Sequence, residues 1–297
     1  MGKSRRLSDL ACCYRVDGKK RFRLKEIDPG DTAGVESKED ATKQLAESVT
    51  ALCELQEKLY AQCEWSLLLV FQALDAAGKD STLKHVLSGV NPQGCSGTSF
   101  KAPSTRELNH DFLWRAALAL PERGQIGVFN RSYYEEVLVV RVHPELLEKQ
   151  RLPKPVVTGK IWKERFKSIN DFERHLTQNG TIVLKFFLHV SREEQRKRLL
   201  ERLRDKTKNW KFEIGDLAER KLWPRYMDAY EDMVQHTATE CAPWHVVPAD
   251  HKWFTRLVVS TAIIEKLRSL KLHFPTLTPD ERKALGMARA ELTRGGA

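Results

Sequence analysis

The apolar residues of this chain fall into two rhythms. Short, nearly unbroken runs occur at LLLVF (67–71), QIGVFN (125–130), TIVLKFFLHV (181–190) and WHVVPA (244–249). Runs of this length suit strands buried on both faces, where no solvent side calls for alternate polar residues. GTSF (97–100) is read as a further short strand. Between the runs the spacing shifts to three and four. Leu45, Val49, Leu52, Leu55 and Leu59 share one helical face, and Trp162, Phe166, Ile169, Phe172 and Leu176 share another. Trp223, Tyr226 and Tyr230 mark a third helix, and 253–270 a last core helix.

Start signals accompany these faces. Ser37 with Asp40 caps the first helix. Ser104 with Glu107 has the form of a capping box and predicts a helix through Leu108, Phe112, Ala116 and Leu120, closed by Pro121. A helix is expected from near Ser132, and Thr278 with Glu281 opens a terminal one. Strands alternating with helices predict an α/β fold, a parallel sheet with helices on both faces. The expected organisation is an N-terminal arm over residues 1–40, one α/β domain over 41–271, and a helical tail over 272–297. Ligands of such sheets bind at the carboxyl ends of the strands.

Composition narrows the partners. With 297 residues the chain can form one large α/β domain or two ordinary ones. No segment approaches the apolar length of a membrane span, and MGKSRRLSDL lacks the apolar core of a secretory signal, so no membrane partner is expected. Cys12, Cys13, Cys53, Cys63, Cys95 and Cys241 have no metal-ligand spacing and are expected to be reduced, largely buried thiols of a cytoplasmic protein. The net charge of +10 suits a polyanionic partner, whether nucleic acid, an anionic surface or a phosphate-rich ligand. A merely solvated basic surface accounts for the charge equally well, so the positions of the cations matter more than their number.

Three strand ends carry candidate chemistry. After the first strand, ALDAAGKDST nearly spells a phosphate loop, with Gly78 and Lys79 in place. Ala73 stands where that loop has its first Gly, and Asp80 where it has a hydroxyl. Backbone amides around Ala76, Ala77 and Gly78, the amino end of a following helix through Ser81 and Thr82, and Lys79 itself would hold phosphate. A plain strand-to-helix turn explains the stretch as well. After QIGVF come Asn130 and Arg131, a neutral oxygen donor and a forked cation, with Glu135 and Glu136 a turn later. After TIVLKFFLHV, residues 192–211 hold nine Lys or Arg against four acids and end in KTKNWK. That composition suits a basic lid over about 192–220, with Arg198, Arg202, Lys208 and Lys211 as phosphate contacts. A salt-bridged solvent face is the alternative.

Taken together, FQALDAAGKDSTLKHVLSGVNPQG, SFKAPS, HDFLWR, FNRSYYEEVLVVRVHPE, INDFERHL, TIVLKFFLHVSREEQRKRL, NWKF and APWHVVPADHKW resemble the polyphosphate kinase-2 family, from about Leu67 to Trp253. The resemblance implies a three-layer P-loop kinase-like fold with a helical basic lid. It implies Mg²⁺-assisted phosphoryl transfer between inorganic polyphosphate and AMP, ADP or ATP, with Mn²⁺ as a second possible metal. Asn130 followed by Glu135 looks like the family's third class, which phosphorylates both nucleoside mono- and diphosphates. Asp80 then matches the family's Gly-Lys-Asp, and Asp75, Lys79, Asn130, Arg131 and Glu135 are the expected catalytic group, with Asp75 and Glu135 holding metal. Ala73, Ser81 and Tyr133 depart from residues common in the family, and a loop position needing positive φ would disfavour Ala73. A homo-oligomer, dimer or tetramer, is expected, and nucleic acid is not an expected partner. The alternatives are an ATP-dependent nucleotide or small-molecule kinase on the same fold and a non-catalytic nucleic-acid-binding protein.

Overall fold

The computed structural model describes residues 7–35 and 38–294. In chain order its strands are β1 (Arg15–Val16), β2 (Ser66–Gln72), β3 (Cys95–Ser99), β4 (Ile126–Asn130), β5 (Thr181–His189) and β6 (Trp244–Pro248). Its α-helices are α1 (Leu7–Cys13), α2 (Lys38–Gln62), α3 (Lys79–Val86), α4 (Thr105–Leu108), α5 (Trp114–Ala117), α6 (Val139–Val142), α7 (Glu145–Glu148), α8 (Ile161–Gln178), α9 (Arg192–Arg204), α10 (Gly215–Lys221), α11 (Trp223–Thr237), α12 (Lys252–Ser269) and α13 (Pro279–Arg294). Ser37, expected to cap α2, lies outside the described residues.

One sheet runs in the order β1-β6-β5-β2-β4-β3. β2 is buried at all seven positions and pairs in parallel with β5 on one side and β4 on the other. Leu67, Leu69 and Phe71 face a core shared with Leu52 and Leu59 of α2 and Phe254 and Val258 of α12. Leu68 and Val70 face the opposite core, with Phe166 and Ile169 of α8 and Tyr230 and Met233 of α11. The unbroken apolar runs follow from this sandwiching. A strand covered on both faces excludes water from both, so every position favours an apolar side chain. The carboxyl ends of β2, β4, β5 and β6 therefore open on one edge, at Gln72, Asn130, His189 and Pro248.

Four local expectations are corrected. Residues 7–35 are not an irregular arm. Leu10, Ala11, Tyr14, Phe22 and Leu24 are buried, and β1 pairs antiparallel with β6, Val16 opposite Trp244, making that edge of the sheet mixed. A two-residue strand is too short to show alternation, and its register is set by β6. The Ser104–Glu107 capping box is present, but the helix it opens ends at Leu108 and resumes only at Trp114. Asp111 interrupts it, accepting from the Leu113 amide as a turn-forming Asp does. The segment after Ser132 is a 3₁₀ turn over Tyr133–Val137, not an α-helix. Finally, none of the six cysteines is buried: Cys12, Cys13, Cys63 and Cys241 are exposed, and Cys53 and Cys95 half-buried. α13 is capped by Thr278 and Glu281 as expected, and its described residues are exposed along their length. Among the described residues no helix is long and apolar enough to cross a membrane.

Behind the strand ends lies a fully buried ion pair. Lys185 of β5 donates to Glu173 of α8 at 2.5 Å, to the Tyr134 hydroxyl at 2.9 Å and to the Thr237 carbonyl at 2.7 Å. Tyr133 and Tyr134 both donate to the other Glu173 oxygen, at 2.8 and 2.7 Å. Burial pushes the Lys185 ammonium below its ordinary pKa, against the pull of Glu173. Removing one partner would strand the other in the core, which costs about 3–5 kcal/mol. Lys185→Met is expected to lose stability on that scale in urea denaturation. An unchanged midpoint would mean that the ammonium does not hold these elements together.

Candidate active site

The β2 strand ends in Gln72, and the chain then turns through Ala73–Gly78 into α3. Two residues of the turn have positive φ: Ala76 at 62° and Gly78 at 107°. Ala73 does not, so its lack of Gly imposes no backbone strain there, and the strained position is Ala76. Lys79 folds back over the loop and donates to the Ala73 carbonyl at 2.7 Å, with Leu74 at 3.5 Å. Burial, followed by the positive charge of Arg131, pushes the Lys79 ammonium down to about 8, although Asp75, Glu135 and Asp80 pull the other way. Asp80 accepts from the Asn130 amide at 2.8 Å, Ser81 accepts from Arg256 at 2.8 Å, and Thr82 is buried with its amide on the Gly78 carbonyl. Asp80 thus ties the start of α3 to the end of β4.

Arg131 is the centre of the cluster. Its amide donates to the Phe71 carbonyl at 3.0 Å, and its φ of 62° turns the side chain out of the sheet into the cleft. Such a left-handed non-glycine residue costs energy and persists where the surroundings demand it. The guanidinium forks to Asp75 at 2.6 Å and Glu135 at 2.9 Å. Glu135 first, and Asp75 after it, hold the guanidinium firmly in its charged form. Ser132 caps the 3₁₀ turn that carries Glu135. Gln72 was not singled out from sequence, yet it is buried here. With its amide set by its neighbours, the nitrogen donates to Glu135 at 2.8 Å and the oxygen accepts from Ser132. A polar residue closing an apolar strand is the signal that could have found it.

The four lid cations divide. All four line, with the loop and Arg131, a cavity of about 1020 Å³, but they differ in what they are bound to. Lys208 pairs with Asp205 at 2.9 Å, and Arg202 lies 3.6 Å from Asp216. Arg198 was expected among the lid contacts and is instead only 5 % exposed. It donates to the Ala76 and Ala77 carbonyls at 3.2 and 2.7 Å and to those of Ala249 and Asp250 at 2.7 and 2.9 Å. Arg198 is therefore a strut for the phosphate loop. Gln195, one turn earlier, adds a bond to the Asp75 carbonyl at 3.1 Å.

Cations from three strand ends line one cavity, an arrangement suited to a polyanion, and the fold is that of a P-loop kinase-like phosphotransferase. The chain belongs to the Polyphosphate kinase 2 family, whose profile matches residues 35–275. It is 53% identical over 260 residues to an ADP-polyphosphate phosphotransferase of Rhodopseudomonas palustris, covering 87% of this chain and 90% of that one. It is 45% identical to an AMP/ADP-polyphosphate phosphotransferase of Meiothermus ruber, covering 88% and 94%. The crystal structure of a Polyphosphate Kinase 2 from Arthrobacter aurescens superposes with a TM-score of 0.85 at 41% identity, over 94% of this chain and 96% of that one. This chain is a phosphotransferase of polyphosphate kinase 2 type.

Lys79 can hold an anion only as the ammonium, the form present below a pKa of about 8. Measured across pH, kcat/KM is therefore expected to fall as pH rises through about 8, since that ratio reports free-enzyme ionisations. A descending limb near the ordinary 10.5 would show that the loop leaves Lys79 unshifted. Arg198→Lys keeps the charge but cannot fork across two pairs of carbonyls. It is expected to lower kcat/KM about tenfold and to reduce the melting temperature. Wild-type activity and stability would return Arg198 to the lid as an ordinary cation.

Proposed function

We propose that the chain transfers a phosphoryl group between inorganic polyphosphate and AMP or ADP, with Mg²⁺, or Mn²⁺, bound at the site. The observation that carries this is the Arg131 fork to Asp75 and Glu135, set in a cavity that also receives Lys79, Lys208 and Lys211. The printed names of the Rhodopseudomonas and Meiothermus relatives, with ADP, AMP and polyphosphate as their substrates, support the same reading.

The donor set suits the metal. Two carboxylates on one guanidinium put hard oxygen ligands on one wall of the cavity. Among the described residues no group of three or more His, Cys, Asp and Glu could hold a metal on its own. Two carboxylates completed by phosphate oxygens and water are the usual surroundings of Mg²⁺, which dehydrates reluctantly. Held by Asp75 and Glu135, the metal would neutralise charge that develops in the transfer.

The attacking atom is a terminal phosphate oxygen of the acceptor, already largely ionised near neutral pH, so no strong base is needed. The work of the site is to bring two polyanions in line and to spread charge in a loose transition state. Lys79 turns from the Ala73 carbonyl to a phosphate oxygen, and the amides of Ala76–Gly78 complete the cradle. Arg131 and Asn130 orient the acceptor, with Asp75 and Glu135 fixing Arg131 and offering oxygens to the metal. Lys208, Lys211 and Arg202 take up the polyphosphate chain and close water out.

Incubation with ADP, Mg²⁺ and polyphosphate, with no ATP added, is expected to produce ATP, and AMP in place of ADP is expected to yield ADP. No product from either acceptor overturns the proposed reaction. Asp75→Asn keeps the shape of the side chain but removes the charge facing Arg131 and the metal. It is expected to lower kcat about a hundredfold or more with the circular dichroism spectrum unchanged. Near-wild-type turnover would remove Asp75 from the machinery.

A further inference from the structure

α10 contributes Asp216 to the lining of the cavity and is tied down at two points. Arg220 donates to the Gln195 side chain at 2.6 Å and to the Arg192 carbonyl at 2.8 Å. Glu219 accepts from the Tyr226 hydroxyl at 2.5 Å and lies 3.0 Å from His143. These ties hold the last turn of α10, three residues beyond Asp216, and Asp216 itself lines the cavity.

Asp216 is an unusual residue to place there. Its side chain is only 12% exposed, in a cavity whose other expected occupant is a polyanion. Among the described residues its Oδ2 atom is buried with no hydrogen-bond partner, and the cation beside it is Arg202 at 3.6 Å. Burial, and after it the charge of Asp75, push the Asp216 carboxyl above its ordinary pKa. A buried carboxylate in the field of another carboxylate, with one cation beyond hydrogen-bond distance, does not stabilise the lid as an ion pair normally could. Its position has a different consequence. The same Arg202 nitrogen also reaches the Lys211 carbonyl at 3.4 Å, so this guanidinium is engaged by groups of the lid itself.

Granting the phosphotransfer reaction proposed above, we propose that Asp216 is an internal competitor for polyphosphate. Its carboxylate occupies the Arg202 guanidinium while the donor channel is empty and surrenders it when the chain enters. A phosphate oxygen makes a shorter, charge-assisted bond to Arg than the 3.6 Å pair, so the substrate wins the exchange. The chain must displace Asp216 from Arg202 to bind, and that cost lowers polyphosphate affinity and favours its departure. Asp216 is thus a residue that sets donor affinity, and it acts through Arg202.

The test is direct binding of end-labelled polyphosphate to the full chain by fluorescence anisotropy, at fixed salt and without nucleotide. Asp216→Asn, which keeps the shape and removes the charge, is expected to tighten binding about fivefold and to lower the KM for polyphosphate, with the KM for ADP unchanged. Glu193→Gln removes the same charge from the exposed side of α9 and is expected to change binding much less. In an Arg202→Ala background, Asp216→Asn is expected to lose most of its effect, because the competition needs both partners. Unchanged or weaker binding by Asp216→Asn overturns the inference. An equal gain with or without Arg202 also overturns it, reducing Asp216 to one more negative charge. A wild-type chain that binds no polyphosphate overturns the proposed reaction itself, and the competition with it.

Discussion

Arg198 donates from a buried guanidinium to four backbone carbonyls, two from the loop after β2 and two from the loop after β6. The shape of the site depends on that grip. A phosphate loop turns its amides inward, which sends its carbonyls outward, and buried carbonyls without donors are costly. Arg198 satisfies them from behind and ties them to the end of β6, two strands away. The left-handed turn at Ala76 is held by the same contact.

In front of the cradle the difficulty is opposite in sign. Lys79, Arg131, Arg202 and Lys208 converge on one cavity, where like charges repel. Each is given an internal anion or carbonyl: Lys79 the Ala73 carbonyl, Arg131 two carboxylates, Lys208 Asp205, and Arg202 the more distant Asp216. In the proposed reaction, substrate binding is then an exchange of partners in place, with little reorganisation of the cations themselves. That is how a preorganised electrostatic site stabilises a transferring phosphoryl group.

Legibility from sequence followed the range of the interaction. Asp80 and Asn130 could be singled out one at a time, but the bond between them, fifty residues apart, is a product of β2 and β4 lying side by side. Arg198 and Arg202 sit one turn apart in a segment whose composition is basic throughout. Both reach the cavity wall, but Arg198 is buried with its guanidinium on backbone carbonyls, because only it falls beneath the loop. Gln72 and Gln195 lacked any charge to attract notice, and both hold residues of the site.

The sequence by itself determined the sandwiched strands, the helical faces packed on them, the order of three chemistry-bearing strand ends and the Gly-Lys-Asp loop, since each is written in neighbouring residues. The family resemblance was legible for the same reason. Tertiary structure alone decided that β1 joins the sheet, that Arg131 bridges Asp75 and Glu135, and that Arg198 is held by loop carbonyls. Those outcomes depend on the distance between segments far apart in the chain, which no local pattern encodes.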